Sequence, residues 1–179
     1  YFYGDDGVHG PELWRSDGTP GGSAMVRDTC PGRCGAAALF SALSIARAGS
    51  RLYFAADDGV HGQELWAIDG EAGEPQLVAD LVPGARGSSP GSFQPVGDRL
   101  FFLARDPIEG GDLWVSDGTG PGTDRVVDLR PGPDSFSYGA SADLGGVLLF
   151  GPNWPLSGLW RSDGTPAGTY SISPVEPWQ

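Results

Sequence analysis

Lysine is absent from this chain of 179 residues, whose eleven basic residues are all Arg. Against 23 acidic residues they leave a formal net charge of −12 at pH 7. A surface of that sign repels phosphate backbones, which sets nucleic acid aside as a partner. Long apolar runs are missing too. No stretch approaches the roughly 20 residues that a bilayer-spanning helix needs, so the sequence reads as soluble, with no membrane span. The opening Tyr1-Phe2-Tyr3 has neither the charged start nor the apolar run of a signal peptide. It reads as the inside of a strand, hence as a fragment whose export signal would lie upstream.

Catalytic signatures are equally scarce. There is no G-x-S-x-G elbow, no H-E-x-x-H pair and no phosphate-cradling G-x-x-x-x-G-K. The two His occupy equivalent places in two repeats and do not converge as an acid–base pair. The expectation is a protein without enzymatic activity.

What is plentiful is turn chemistry. Thirty Gly and sixteen Pro, spread without a three-residue period, exclude collagen and point to many short elements joined by tight turns. Laying the chain on itself shows why. Trp14, Trp66, Trp114 and Trp160, each preceded by Leu, recur at spacings of 52, 48 and 46 residues, a period typical of propellers and solenoids. Three residues after each Trp comes Asp-Gly, at Asp17, Asp69, Asp117 and Asp163. Phe2, Phe54 and Phe102 lie twelve residues before their Trp, and Phe150 lies ten before Trp160. Asp28, Asp80 and Asp128 follow the Trp by fourteen, and the pattern decays at the C-terminus.

Apolar and polar residues alternate with period 2 inside a unit, as in Leu52-Tyr53-Phe54-Ala55 and Glu64-Leu65-Trp66-Ala67-Ile68, which specifies strands. A fourth strand per unit is supplied around Phe93, with Gly97-Asp98 as the turn that follows. Its Pro95 suits an edge strand. Residues 35–49 are Ala-rich and helical by propensity, but repeat position makes them a strand. The expected architecture is all-β: one repeat domain over residues 1–179, with units of about 1–51, 52–99, 100–147 and 148–179. Each is a four-stranded antiparallel meander of β-propeller size. Fifteen strands are counted, one short of four full units, so the chain reads as part of a larger ring.

The strings Glu12-Leu13-Trp14-Arg15-Ser16-Asp17-Gly18-Thr19 and Asp112-Leu113-Trp114-Val115-Ser116-Asp117-Gly118-Thr119 resemble the bacterial ELWxxDGT repeat family over nearly the whole chain. The second copy departs from it at Ala67-Ile68-Asp69-Gly70-Glu71, and in the fourth Gly158 replaces the acidic residue. The resemblance implies an exported bacterial protein, extracellular or on the cell surface, and carries no established activity. It also implies an oxidising setting, in which Cys30 and Cys34 are expected to form a small disulfide.

Several residues invite a functional reading. The four Trp could line a ligand groove, but a Trp fixed once per unit beside Leu is what packing between sheets requires. Asp17, Asp69, Asp117 and Asp163 could hold cations, yet Asp before Gly ordinarily accepts backbone N–H bonds in a turn. The oxygen-rich loops Asp5-Asp6-Gly7-Val8-His9-Gly10 and Asp57-Asp58-Gly59-Val60-His61-Gly62 are the best metal candidates, with calcium as the cofactor and Asp5, Asp6, Asp57 and Asp58 as ligands. They lack EF-hand spacing, so the leading expectation is no cofactor. The function expected is a non-catalytic binding or scaffold module whose partner is a protein or a glycan. Its alternatives are a calcium-dependent carbohydrate-binding propeller, and a hydrolase using the variable-loop residues Arg105, Asp106, Glu109, Asn153 and Trp154.

Overall fold

The computed structural model describes residues 1–32, 44–70, 73–106, 110–132, 134–135, 137–153 and 156–173. Among them are fifteen strands and no α-helix, arranged as four antiparallel sheets. The first sheet holds β1 (Phe2–Asp5), β2 (Pro11–Ser16) and β3 (Ser23–Met25). The second holds β4 (Ile45–Ala48), β5 (Arg51–Asp57), β6 (Gln63–Asp69) and β7 (Gln76–Ala79). In the third are β8 (Gly91–Val96), β9 (Arg99–Asp106), β10 (Gly110–Ser116) and β11 (Thr123–Val127). The fourth comprises β12 (Tyr138–Asp143), β13 (Leu148–Pro152), β14 (Trp160–Ser162) and β15 (Tyr170–Ser171). Each sheet is a meander in chain order.

Two-residue turns decide where each sheet begins. Gly49 and Gly97 take positive φ (56° and 58°) and fold β4 onto β5 and β8 onto β9, as short hairpins require. The loop from β7 to β8 is long, so no hairpin joins those strands. The hydrogen-bonded sheets therefore start one strand before the sequence units that open at Leu52 and Leu100. Pro95 lies in β8, at the edge of its sheet, where a missing N–H breaks no inner ladder. Of the Ala-rich segment, Ile45–Ala48 is strand β4, and residues 33–43 lie outside the described residues.

The repeat is visible in the register. Phe2 faces Trp14, Phe54 faces Trp66, Phe102 faces Trp114 and Phe150 faces Trp160 as cross-strand partners. Successive side chains on a strand point to opposite faces, so each sheet carries this Phe–Trp pair on one face and the Leu preceding the Trp on the other. The sheets stack through these faces. Leu13 packs with Phe54, Trp66 and Ile68. Leu65 and Tyr53 meet Phe102 and Leu100, and Leu113 and Phe101 meet Phe150 and Leu148. At one edge of the sheets β4 approaches β8 and β8 approaches β12. Tyr3 and Tyr138 tie neighbouring sheets with their hydroxyls, which donate to Ala55 O (2.8 Å) and Ser92 O (2.6 Å). Burial pushes the Tyr3 phenol up to about 12, and Tyr138 is raised for the same reason. Among the described residues no helix is long and apolar enough to cross a membrane.

Candidate functional site

The Asp-Gly-Thr turns close the hairpins β2–β3, β10–β11 and β14–β15 in one way. Asp117 Oδ1 accepts from the Thr119 amide (2.9 Å) and the Thr119 hydroxyl (2.7 Å). Asp17 with Thr19 and Asp163 with Thr165 repeat this within 0.1 Å. These bonds, the Thr hydroxyl's foremost, hold all three carboxyls below their usual range. The carboxylate lies where a Cβ on the Gly five residues later would sit, 2.2 Å away at Gly122 and 2.0 Å at Gly168. Beneath it runs a hydroxyl chain. Thr123 Oγ1 donates to Thr119 O (2.7 Å), so its contact with Ser116 Oγ (2.7 Å) is made by the Ser proton. Ser162 and Thr169 repeat the pair in the fourth sheet. Asp69, in the divergent second copy, instead accepts from Ser50 Oγ (3.0 Å) and lies 3.9 Å from Arg51.

Two arginines link these turns to the preceding sheet. Arg51, opening β5, donates to the Asp117 carbonyl. Arg99, opening β9, donates to the Asp163 carbonyl (2.9 Å) and the Gly146 carbonyl (3.4 Å). The motif Gly is needed twice over there. Gly118 and Gly164 adopt φ near +90°, and a Cβ on them would meet Arg51 Cδ at 2.4 Å and Arg99 Nη1 at 2.6 Å. Gly18, in the first sheet, has open space at the same place. Single-sequence reading missed this role, although the signal was present: Arg-Leu follows a Gly-containing turn at both Arg51 and Arg99.

The acidic residue ahead of Leu-Trp was also missed. Glu64 is fully buried and accepts from the Val82 and Ser88 amides (both 3.0 Å) and from Ser88 Oγ, fastening the β7–β8 loop to β6. Glu12 accepts from Thr29 Oγ1 and the Cys30 amide. Burial raises both carboxyls above their ordinary value, even though the accepted bonds pull the other way. Asp112 takes the third position and pairs with Arg125 at 3.2 Å.

In the two D-D-G-V-H-G loops the carboxylates serve the loop itself. Asp58 Oδ1 accepts from the Val60 and His61 amides (2.9 and 2.8 Å), and Oδ2 lies 2.7 Å from His61 Nδ1. Asp6 does the same with Val8 and His9, while Asp5 and Asp57 accept from Gly7 and Gly59 (both 2.7 Å). The hydrogen bond that each imidazole donates to its Asp, foremost, raises the imidazole above its usual pKa. No group of three His, Cys, Asp or Glu able to hold a metal occurs among the described residues.

Trp66 is buried between the first two sheets, and Trp114 and Trp160 are partly buried against the sheet before their own. Trp14 stacks on Phe2 (6.4 Å between centroids) and donates to Gly4 O (3.0 Å). Cys30 is buried; its expected bond to Cys34 falls on a residue outside those described. Of the variable-loop residues, Asn153 donates to Ser137 Oγ (3.0 Å), the Arg105 amide donates to Ser88 O (2.7 Å), and Glu109 and Trp154 lie outside the described residues.

Clefts open between sheets at the Asp-Gly-Thr end. One, about 390 Å³ between the second and third sheets, is lined by Arg51, Asp69, Glu74, Gln76, Gly118 and Gly120, with Leu77 and Val78 among its apolar walls. A second of about 220 Å³ lies between the first and second, with Arg15 and Glu74 in its lining. Comparison with known proteins found no matching family, no matching curated protein and no matching solved structure.

Proposed function

We propose that the four sheets are blades of a β-propeller and that the chain is a non-catalytic binding or scaffold module of an exported bacterial protein. One observation carries the reading. The Asp of the Asp-Gly-Thr turns, the Glu ahead of Leu-Trp and the Arg that opens β5 and β9 are engaged in turns, loop fastening or links between sheets. Asp17, Asp117 and Asp163 hold their turns, Glu12 and Glu64 hold loops, and Arg51 and Arg99 join sheets. Residues kept for such work support a scaffold, and the clefts between sheets offer the surface for a partner. The cleft of Arg51, Asp69 and Glu74 mixes both charges with apolar walls, which suits a polar protein segment or a glycan. Glycan arrays and protein pull-downs with the immobilised chain test this. Saturable binding that weakens in Glu74→Ala is the expected result. Turnover of any substrate, abolished by a single substitution in that cleft, would overturn it.

A further inference from the structure

All three junctions between sheets join the same two kinds of face. The face bearing the motif Leu of one sheet, Leu13, Leu65 or Leu113, packs on the Phe–Trp face of the next. Two faces of these kinds have no sheet against them among the described residues. One is the Phe2–Trp14 face of the first sheet, and the other is the Leu159 face of the last. Phe2 is 41% exposed, whereas Phe54, Phe102 and Phe150 are at 1% or less; Leu159 is 42% exposed, whereas Leu65 and Leu113 are at 0%. Apart from Val8, Val60 and Leu144 in hairpin loops, every exposed large apolar side chain among the described residues lies on or directly flanks a strand of the first or the last sheet. On the last sheet Tyr170 and Ile172 extend the Leu159 patch: Tyr170 pairs with Arg161, two residues along from Leu159, and the Ile172 amide bonds to Leu159 O.

We propose that a second copy of this chain covers these faces head to tail, the Leu159 face of one copy seating on the Phe2–Trp14 face of the next. The contact continues an interface the molecule already makes three times, with the same residue types on each side. It is heterologous, so each copy offers one face of each kind, and such contacts close into rings when the rotation allows. On the propeller reading, two copies place eight sheets around one axis, inside the usual range of about four to eight blades.

Sedimentation velocity on the full chain tests the contact. The wild type is expected to self-associate, as a dimer if the ring closes. Phe2→Asp, Leu159→Asp and Tyr170→Asp are each expected to be monomeric alone, each having one face blocked. Phe2→Asp mixed with Leu159→Asp restores a 1:1 dimer, because each retains the face that the other lacks, and that recovery also shows that both variants fold. Association through a larger open series supports the contact and sets aside only the ring. A monomeric wild type overturns the proposal and leaves the single-chain binding reading standing. So does undiminished association of the variants alone, or failure of the mixture when each variant keeps the wild-type circular dichroism.

Discussion

At the scale of single residues, equivalent positions in different copies act as internal controls. Gly18 and Gly118 share a turn and a positive φ, but only Gly118 has the Arg51 side chain against it. Gly18→Ala should therefore cost the left-handed penalty alone, about 1–2 kcal/mol. Gly118→Ala should cost that plus roughly 1–3 kcal/mol for overpacking. Urea melts of the two variants check the difference. Trp66 and Trp14 make the same comparison in the core: Trp66 is enclosed between two sheets, and Trp14 lies on an open face. At concentrations where the chain is monomeric, Trp66→Ala is expected to lose about 3–5 kcal/mol and Trp14→Ala clearly less. Equal losses would mean that burial is not what the motif Trp supplies.

At the scale of elements, the strands were legible and their grouping was less so. Period-2 alternation and the Phe–Trp spacing are local, so they fix strand identity and register in β5–β6 and β9–β10. Which hairpin a strand joins depends on turn length, and the two-residue turns at Gly49 and Gly97 place β4 and β8 in the sheets that follow them. The fastening role of Glu64 was not legible, because its partners lie 18 and 24 residues away and are backbone amides and Ser, which leave no sequence signal. For Arg99 the repeated turn-then-Arg-Leu pattern marked the residue, but nothing in the sequence marked its carbonyl partner 64 residues on. Both can be measured. Arg99→Ala should cost about 1–2 kcal/mol by breaking the link from β9 to the fourth sheet. The Glu64 carboxyl is raised above 4.5 by burial, so folding favours its protonated form. Its contribution is fully present below that value and is lost as pH rises through the raised one. Glu64→Gln removes this titration and should gain on the wild type as pH rises across that window. A stability gap that stays constant with pH would contradict the assignment.

At the scale of the whole molecule, the repeated residues hold turns, loops and sheets together, and the proposed function gives the clefts between sheets to a partner. The alternative gives the repeated carboxylates to calcium. Thermal unfolding of the wild type, Asp117→Ala and Asp58→Ala, each with and without millimolar Ca²⁺, separates the two most directly. Asp117→Ala should lose on the order of 1–2 kcal/mol through its broken turn, by the same amount in both conditions, and Ca²⁺ should leave the wild-type melting temperature unchanged. A wild type strongly stabilised by Ca²⁺, with that gain gone in Asp58→Ala or Asp117→Ala, would show that the carboxylates are ligands and the repeats a calcium-dependent binding surface.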